Sequence, residues 1–292
     1  MRVTNAVGDT YPIVEDDVAW ACPGGERLLT RIFRPATDGS GAWPMIVNVH
    51  GGAWNIGDRT VSEVYCRALA RTGVVVASID FRQGPAHQHP AASIDVLNAM
   101  RWAHLHCERL GGSPRSIGLI GSSSGGHLAL LASVRPNGAE YRAVPPLIDR
   151  DGAERVRDDI DPTVAYVIAL WPVSDPFFRY RYARRAGLKA LATYSEAYYS
   201  SEDAMRAASI QRVVTAGEAT QLPPALVVQP GEDSNVPIEM TFDLLRAWQS
   251  RGGHIEYAYF PDMPHGFGQR PSPETDDMVA LARDFISRHG PR

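Results

Sequence analysis

The sequence predicts an α/β fold, in which helices flank a mostly parallel central sheet and a helical insertion interrupts the alternation. The first observation is that short apolar runs alternate with longer patterns of helical period, which is typical of βαβ units. The second is that glycines follow apolar runs where a strand should turn into a helix. A chain of 292 residues, 44% of them hydrophobic, is long enough to bury one large core.

The predicted elements follow one another in a regular order. An N-terminal hairpin is expected because "VAWA" and "LLTRIF" flank the turn sequence "CPGGE". Further strands are predicted at "MIVNVH", "VVVASID", "SIGLIG", "AYVIALWPV", "PPALVVQPG" and "HIEYAYF". Helices are predicted at "VSEVYCRALARTG", "AASIDVLNAMRWAHLHCERLG", "SSGGHLALLASV", "PIEMTFDLLRAWQSRG" and "TDDMVALARDFISRHG". Strands joined through helices pair in parallel, so most of the sheet should be parallel.

Two stretches interrupt this alternation. Residues 174–214 are helix-prone and rich in aromatic side chains, whereas residues 136–161 are polar and rich in proline. Long insertions inside a compact domain are usually lids or caps. We therefore expect a core domain of residues 1–173 and 215–292 and a cap of residues 174–214, with 136–161 as a candidate for an additional lid segment.

Composition excludes several classes of function. The formal net charge is −4 and the pI is near 6.1, which argues against a nucleic-acid partner and leaves no polybasic patch for a membrane. No apolar run approaches the roughly 20 residues of a membrane helix, and "MRVTNAVGDTYPIVEDD" lacks the apolar centre of a signal peptide. We expect a cytoplasmic protein without a membrane partner.

The three cysteines and the histidine pairs do not predict a disulfide framework or a metal site. Cys22, Cys66 and Cys107 are odd in number and widely spaced, and no CxxC pair occurs. His87 and His89 lie close together, but no further ligand set accompanies them. No glycine motif for a nucleotide cofactor is present either. The sequence therefore predicts no metal and no cofactor.

A G-x-S-x-G pattern occupies residues 121–125 between a predicted strand and a predicted helix. A tight turn there holds the middle serine, Ser123, in a strained conformation at a helix N-terminus, where the helix dipole favours a developing negative charge. Ser123 is therefore the predicted nucleophile. The shifted frame would make Ser124 the nucleophile but places Ser122 where glycine is needed. The alternative without catalysis is an ordinary helix N-cap followed by small packing residues.

The stretch "NVHGGAW", residues 48–54, ends another apolar strand with His-Gly-Gly. Acyl transfer requires backbone N–H groups aimed at an oxyanion, and glycines allow a loop to turn its amides inward. An ordinary glycine turn at a strand end is the alternative. Both this loop and the serine turn should lie at the carboxyl edge of adjacent central strands, which favours the functional interpretation.

A nucleophilic serine needs a base, and the base needs an orienting acid. Asp233 follows the apolar run of "VVQPGEDSNVP", and His265 lies in "YFPDMPHGF" just after the last predicted strand. Glu232 and Asp262 are the rival acids, and each group taken alone could be a solvated loop residue. The order Ser123, Asp233, His265 after the correct strands predicts a catalytic triad.

With these residues in place, the sequence resembles the α/β-hydrolase fold and, within it, the hormone-sensitive-lipase-like carboxylesterases. The segment "DFRQGPAHQHPAA", residues 80–92, is similar to the D-Y-R-L-A-P-E-H-x-F-P-A segment of that family. The matching residues are Asp80, Arg82, Pro85, His87, Pro90 and Ala91. Ala86 stands at the family's glutamate, and Gln83-Gly84 replace its Leu-Ala. The family's HGGG is His-Gly-Gly-Ala here, closer to the HGGxW of kynurenine-formamidase-like and feruloyl or acetyl esterase-like relatives.

The resemblance implies a serine hydrolase that cleaves carboxylic esters of small or aryl substrates through an acyl-enzyme. It implies oxyanion donors at the amides of Gly52, Ala53 and Ser124, and a structural role for His50. An arylformamidase-type amide hydrolase on the same triad is one alternative, as is acyl transfer or lactone opening. A catalytically inactive binding protein is an alternative of another class, but no triad member is missing here.

The expected partner is a small-molecule ester, with a homodimer as one candidate assembly. Candidate substrate-binding residues are aromatic side chains near the predicted strand ends and in the cap. They are Trp54, Trp171, Phe177 and Phe267. The alternative is that these aromatic side chains pack in the core, and for Trp54 that it packs beneath the pocket.

Overall fold

The computed structural model describes residues 10–36, 42–141 and 143–290. The amino end of the predicted core, residues 1–9, lies outside the described residues. The strands are β1 (Ile13–Ala21), β2 (Leu28–Pro35), β3 (Trp43–Val49), β4 (Val75–Ile79), β5 (Gly112–Ser122), β6 (Leu147–Ile148), β7 (Glu154–Arg155), β8 (Val167–Leu170), β9 (Ala225–Glu232) and β10 (Ile255–Pro264). The helices are α1 (Glu63–Arg71), α2 (Ala91–His106), α3 (Ser124–Val134), α4 (Pro176–Arg185), α5 (Lys189–Tyr198), α6 (Glu202–Ala207), α7 (Ile210–Thr215), α8 (Ile238–Ser250) and α9 (Pro273–His289).

The described strands form one sheet in the order β10-β9-β8-β5-β3-β4-β2-β1-β6-β7. From β10 to β4 every pair of neighbours is parallel, and from β4 to β7 every pair is antiparallel. The prediction of a mostly parallel sheet flanked by helices is confirmed. The carboxyl ends of the parallel strands meet at one edge of the sheet, which brings the loops after β3, β5, β9 and β10 together.

Alternation along the strands separates the core into two layers. Met45 and Val47 of β3 contact the cluster that contains α2, α3 and α8, whereas Ile46 contacts the cluster that contains α1 and α9. Successive side chains of a strand point to opposite faces, so a strand covered on both faces is apolar throughout. Helices therefore cover both faces of the parallel part.

The predicted N-terminal hairpin is present. β1 and β2 pair antiparallel from Ile13↔Pro35 onward, and the turn between them is a short 3₁₀ helix at Pro23–Gly25. Gly24 has φ 62°, a conformation that glycine adopts at little cost. The hairpin extends the sheet away from the parallel strands.

The segment 136–161 carries β6 and β7, and β6 pairs with β1 through Leu147↔Ala21. This pairing places β6 and β7 at the antiparallel end of the sheet. Tyr141 of the same segment lies 6.4 Å from His89 between ring centroids. The additional lid stays a prediction. A short hydrogen-bonded edge strand explains how a polar, proline-rich stretch stays ordered.

Residues 174–214 contain α4, α5, α6 and most of α7, between β8 and β9. Asp175 begins α4 as an N-cap that accepts a hydrogen bond from the Phe178 amide at 2.8 Å. Ser201 and Ser209 cap α6 and α7 in the same way. Among the described residues, no helix combines the length and the apolar character needed to cross a bilayer.

Candidate active site

Ser123 lies at the turn between β5 and α3 in a strained conformation. Its φ is 55° and its ψ is −119°, which a residue with a side chain rarely adopts. The flanking glycines are required by close approach. A Cβ at Gly121 would collide with the carbonyl of Gly125, and a Cβ at Gly125 would collide with the carbonyls of Val49 and His50. This is the physical content of the G-x-S-x-G spacing.

His265 lies between Ser123 and Asp233. Its Nε2 is 3.0 Å from Ser123 Oγ, and its Nδ1 is 2.8 Å from Asp233 Oδ2. The other carboxylate oxygen of Asp233 accepts hydrogen bonds from the amides of Asn235 and Val236, both at 2.8 Å. The Asp233 side chain is 1% exposed and that of His265 is 21% exposed. The acid is thus fixed in place, whereas the histidine is open to a ligand.

The alternative acids and the alternative serine form no hydrogen bond with His265 within the described residues. Glu232 and Asp262 are exposed, and neither forms a hydrogen bond with His265 within the described residues. Ser124 is the first residue of α3, fully buried, and its Oγ accepts a hydrogen bond from the Trp54 amide at 3.2 Å. Among the described residues, no histidine or carboxylate forms a hydrogen bond with the Ser124 hydroxyl.

The loop after β3 turns through consecutive residues of positive φ. The φ angles are 123° at Gly52, 49° at Ala53 and 65° at Trp54. A Cβ at Gly52 would collide with the carbonyl of Ile56, so glycine is required. Within the described residues, the amides of Gly52 and Ala53 donate no hydrogen bond, and both residues line the cavity that contains Ser123.

Behind this loop, the buried His50 holds the backbone at Gly51. His50 is fully buried, and its Nδ1 lies 2.6 Å from the carbonyl oxygen of Gly51, to which it donates. Burial lowers the pKa of His50, which favours the neutral ring. The ring stacks on Phe81 at 4.3 Å between centroids.

His127, on α3, connects the serine helix to the loop after β3. Trp54 Nε1 donates to His127 Nδ1 at 3.3 Å, so the proton of this ring is on Nε2, which donates to the Ala208 carbonyl at 2.9 Å. Burial lowers the pKa of His127 to about 3. The neutral ring is thus part of the scaffold and not of the open site.

The segment after β4 is held by a buried ion pair. Arg82 donates to Asp95 through its amide at 2.8 Å and through Nη2 at 2.7 Å. Burial raises the pKa of Asp95, and the hydrogen bond from the Arg82 side chain opposes this shift. Asp80 accepts from the amide and the guanidinium of Arg59 at 2.7 and 3.0 Å. These contacts brace the loop that follows β3.

A cavity of about 330 Å³ opens beside Ser123 and His265. Its lining residues are Gly51, Gly52, Ala53, Ile56, Gly57, Val61, Ser123, Trp171, Leu191, Tyr194, Asn235, His265, Gly266 and Gln269. A larger cavity of about 570 Å³ lies near the amino ends of β3 and β5, and none of the predicted site residues lines it. The smaller cavity is the one that adjoins Ser123 and His265.

Of the four aromatic candidates for substrate binding, only Trp171 lines this cavity. Trp54 is 1% exposed and is stacked on Tyr198 at 5.5 Å. Phe267 is buried against Trp171. Phe177 faces a separate groove, where Arg206 covers its ring at 3.6 Å. The structure does not bring these three residues to the cavity, because Trp54 and Phe267 pack in the core and Phe177 lies in the separate groove.

Sequence reasoning missed the residues that α5 and the loop after β9 bring to the cavity. Leu191 and Tyr194 lie on α5, three residues apart, and Asn235 lies two residues after Asp233. The spacing of Leu191 and Tyr194 is a helical signal, but nothing in the sequence shows which face of α5 points inward. The loop after β3 and helix α5 are far apart in the chain. A hydrogen bond connects them, because Asn55 Nδ2 donates to the Tyr194 carbonyl at 2.8 Å.

His87 and His89 lie in two different environments. His87 is 3.9 Å from Glu26, whereas His89 lies against Tyr199 with ring centroids 5.2 Å apart. Burial lowers the pKa of His89 to about 4. His254, Glu256 and His289 do lie together, far along the chain from these residues, but Arg288 already pairs with both oxygens of Glu256.

A comparison with family models decides the family. The model described as alpha/beta hydrolase fold matches residues 46–269. The chain belongs to the alpha/beta hydrolase fold family. The matched range contains Ser123, Asp233 and His265, together with the loop after β3.

Individual relatives of this alpha/beta hydrolase are esterases by name. The carboxylic ester hydrolase LipN of Mycobacterium tuberculosis is 28% identical over 287 residues, covering 93% of this chain and 70% of LipN. Esterase LipC of the same organism is 30% identical over 257 residues, covering 84% and 59%. The solved Pyrobaculum calidifontis esterase has a TM-score of 0.74 at 23% identity, covering 95% of this chain and 87% of that one. The chain thus spans about 60 to 70% of the two mycobacterial proteins.

Proposed function

We propose that this alpha/beta hydrolase is a carboxylesterase, acting on esters of small or aryl substrates through an acyl-enzyme on Ser123. The observation that carries the proposal is the pair of contacts at His265, 3.0 Å to Ser123 Oγ and 2.8 Å to Asp233 Oδ2. The names of LipN and LipC support the same chemistry.

The geometry suits each step of ester cleavage. Ser123 Oγ attacks the carbonyl carbon while His265 Nε2 takes the hydroxyl proton. Asp233 holds the ring with Nδ1 protonated and stabilises the imidazolium that forms. The amides of Gly52, Ala53 and Ser124 bind the oxyanion of the tetrahedral intermediate. His265 then returns the proton to the departing alcohol, and water releases the acyl group by the same steps.

The cap is part of the proposal. Residues 174–214 supply Leu191 and Tyr194 to the cavity wall, which supports a cap that limits substrate size. A cavity of about 330 Å³ suits a small ester. Long lipid chains would extend beyond it.

A cytoplasmic location and a homodimer also belong to the proposal. Cys22, Cys66 and Cys107 are buried and unpaired, which supports a reducing compartment. β10 is the last strand of the described sheet and exposes Tyr257 and Tyr259, at 37% and 48%. An exposed edge strand with aromatic side chains favours pairing with a second copy. Light scattering that gives the monomer mass across micromolar concentrations would refute the dimer.

The decisive experiment is hydrolysis of p-nitrophenyl acetate and butyrate by wild type and serine variants. Ser123→Ala should lower kcat by about 10⁴- to 10⁶-fold, because the nucleophile is lost. Ser122→Ala removes a neighbouring buried hydroxyl that has no hydrogen-bond partner among the described residues, and should keep near-normal activity.

The serine variants test the choice of nucleophile, and wild type with further substrates tests the alternative functions. If Ser124→Ala abolishes hydrolysis and Ser123→Ala does not, the nucleophile is misassigned. Turnover of N-formyl arylamines without turnover of any ester would favour the amide hydrolase. A folded wild-type protein that hydrolyses neither class and resists a fluorophosphonate probe would be a binding protein.

A further inference from the structure

The segment 174–214 contains a buried arginine, Arg179. Arg179, on α4, is fully buried and forms no ion pair within the described residues. Its guanidinium lies over the Trp54 ring, 5.2 Å from the centroid. Burial lowers the pKa of Arg179 to about 10, so the group remains a cation at neutral pH. A buried cation without a carboxylate is costly to keep, so its contacts must compensate.

Two side chains accept hydrogen bonds from Arg179. Nη1 donates to Asn235 Oδ1 at 3.2 Å, and Nη2 donates to Ser195 Oγ at 3.1 Å. Ser195 uses its only proton to donate to the Leu191 carbonyl at 3.0 Å, so its oxygen is free to accept. The network is therefore consistent in direction, with Arg179 donating throughout.

This network fixes the orientation of the Asn235 amide. A guanidinium has donors but no acceptor, so it holds the carbonyl oxygen of Asn235 and repels the NH₂ group. The backbone is held as well, because the Asn235 amide donates to Asp233 and Tyr182 Oη donates to the Ser234 carbonyl at 3.1 Å. Asn235 lines the cavity, and its Nδ2 forms no hydrogen bond within the described residues. Asn235, a residue of the cavity wall, thus has an oriented, unused donor.

We propose that Asn235 Nδ2 binds an acceptor oxygen of the substrate, an ether, carbonyl or hydroxyl oxygen outside the scissile ester group. Arg179 is the positioning residue that holds the amide in this orientation. The inference rests on the proposed ester hydrolysis and narrows its substrate class to oxygenated small esters. An all-carbon chain at the same place would strip water from the donor without replacing its hydrogen bond.

Isosteric pairs of esters test the proposal. In the acyl series, p-nitrophenyl 3-methoxypropanoate is compared with p-nitrophenyl pentanoate. In the alcohol series, 2-methoxyethyl acetate is compared with butyl acetate. The quantity measured is the ratio of kcat/KM for the oxygenated ester to that for its all-carbon isostere. Asn235→Leu should lower this ratio by about 3- to 10-fold in one series, the worth of one hydrogen bond.

Further variants separate amide orientation from structural damage. In Asn235→Asp, the carboxylate pairs with Arg179 and has no donor, so the ratio should fall as in Asn235→Leu. Arg179→Met releases the amide and should lower the ratio too, with circular dichroism as the check of folding. Arg179→Lys keeps a donor to Asn235 Oδ1 and should therefore keep most of the preference for the oxygenated ester. Damage to the scaffold alone would slow both esters equally and leave the ratio unchanged.

The matched control is Gln269→Leu. Gln269 also places an amide on the cavity wall, but no described residue fixes its direction, so its loss should leave the ratio unchanged. An equal fall in Gln269→Leu and Asn235→Leu would overturn the orienting role of Arg179. An unchanged ratio in Asn235→Leu, in both series, would overturn the inference while ester hydrolysis stands. If wild type cleaves none of the four esters, the proposed function itself fails.

Discussion

At the scale of single residues, the site depends on positions where backbone and side chain are both held. Ser123 has φ 55° because β5 must turn into α3 within one residue, and glycine on either side removes the collisions. Both oxygens of Asp233 are engaged, one by two backbone amides and the other by His265. An aspartate held on both oxygens keeps the imidazole in one orientation.

Asp233→Asn should keep the shape of the acid loop but lower kcat by about 10⁴-fold, because the amide favours the wrong histidine tautomer. The measurement is steady-state hydrolysis of p-nitrophenyl butyrate, with fluorophosphonate labelling as a second readout. Asp262→Asn is the matched control, because Asp262 is exposed on β10. Normal turnover in Asp233→Asn together with a collapse in Asp262→Asn would reassign the acid.

At the scale of secondary-structure elements, the segment 174–214 is attached to the rest of the protein at several points. Helix α5 is tied to the loop after β3 through Asn55 and to the segment after β4 through the His89 amide, which donates to the Tyr198 carbonyl at 2.8 Å. Helix α4 is tied to the acid loop through Arg179 and Tyr182. The inner face of α5 therefore forms a fixed wall of the cavity.

Leu191→Ala should move the preferred p-nitrophenyl acyl chain about two carbons longer, because the shorter side chain leaves room in the cavity. Phe177→Ala is the control within the same cap, since Phe177 faces Arg206 in a separate groove. The chain-length profile of kcat/KM from acetate to dodecanoate is the measurement. A shift in Phe177→Ala and none in Leu191→Ala would place the substrate on the other side of the cap.

At the scale of the whole molecule, histidines whose pKa is lowered by the fold make stability depend on pH. His127 is fully buried with its pKa lowered to about 3, and the pKa of His89 is lowered to about 4. In the unfolded chain both groups titrate near 6.5. Between these values the unfolded state binds more protons than the folded state, so the free energy of unfolding falls as pH drops.

The free energy of unfolding, measured with urea from pH 7.5 to 4.5, should decline below pH 6.5. His127→Gln should flatten this decline by up to about 1.4 kcal/mol per pH unit, the contribution of one proton. The glutamine amide preserves a donor and an acceptor at the buried position, so loss of folding at neutral pH is not expected. A slope identical to wild type would mean that His127 does not remain neutral in the folded protein.

The sequence by itself determined the alternation of strands and helices, the serine turn, and the order of Ser123, Asp233 and His265. These features are local, because a strand end, a glycine and a side chain of the right type are adjacent in the chain. Parallel strands then bring their carboxyl ends to one edge whatever the details of packing. The family resemblance rested on the same local stretches.

Only the tertiary structure decided which side chains surround the site. Trp54 and Phe267 are aromatic residues next to predicted site residues, yet both are buried as packing, and β6 within the segment 136–161 pairs with β1. Conversely, Arg179, Ser195 and Asn235 meet beside the cavity although they lie on two helices and a loop. Contacts with residues distant in the chain determine which face of a helix points toward the cavity. Local sequence patterns therefore do not predict it.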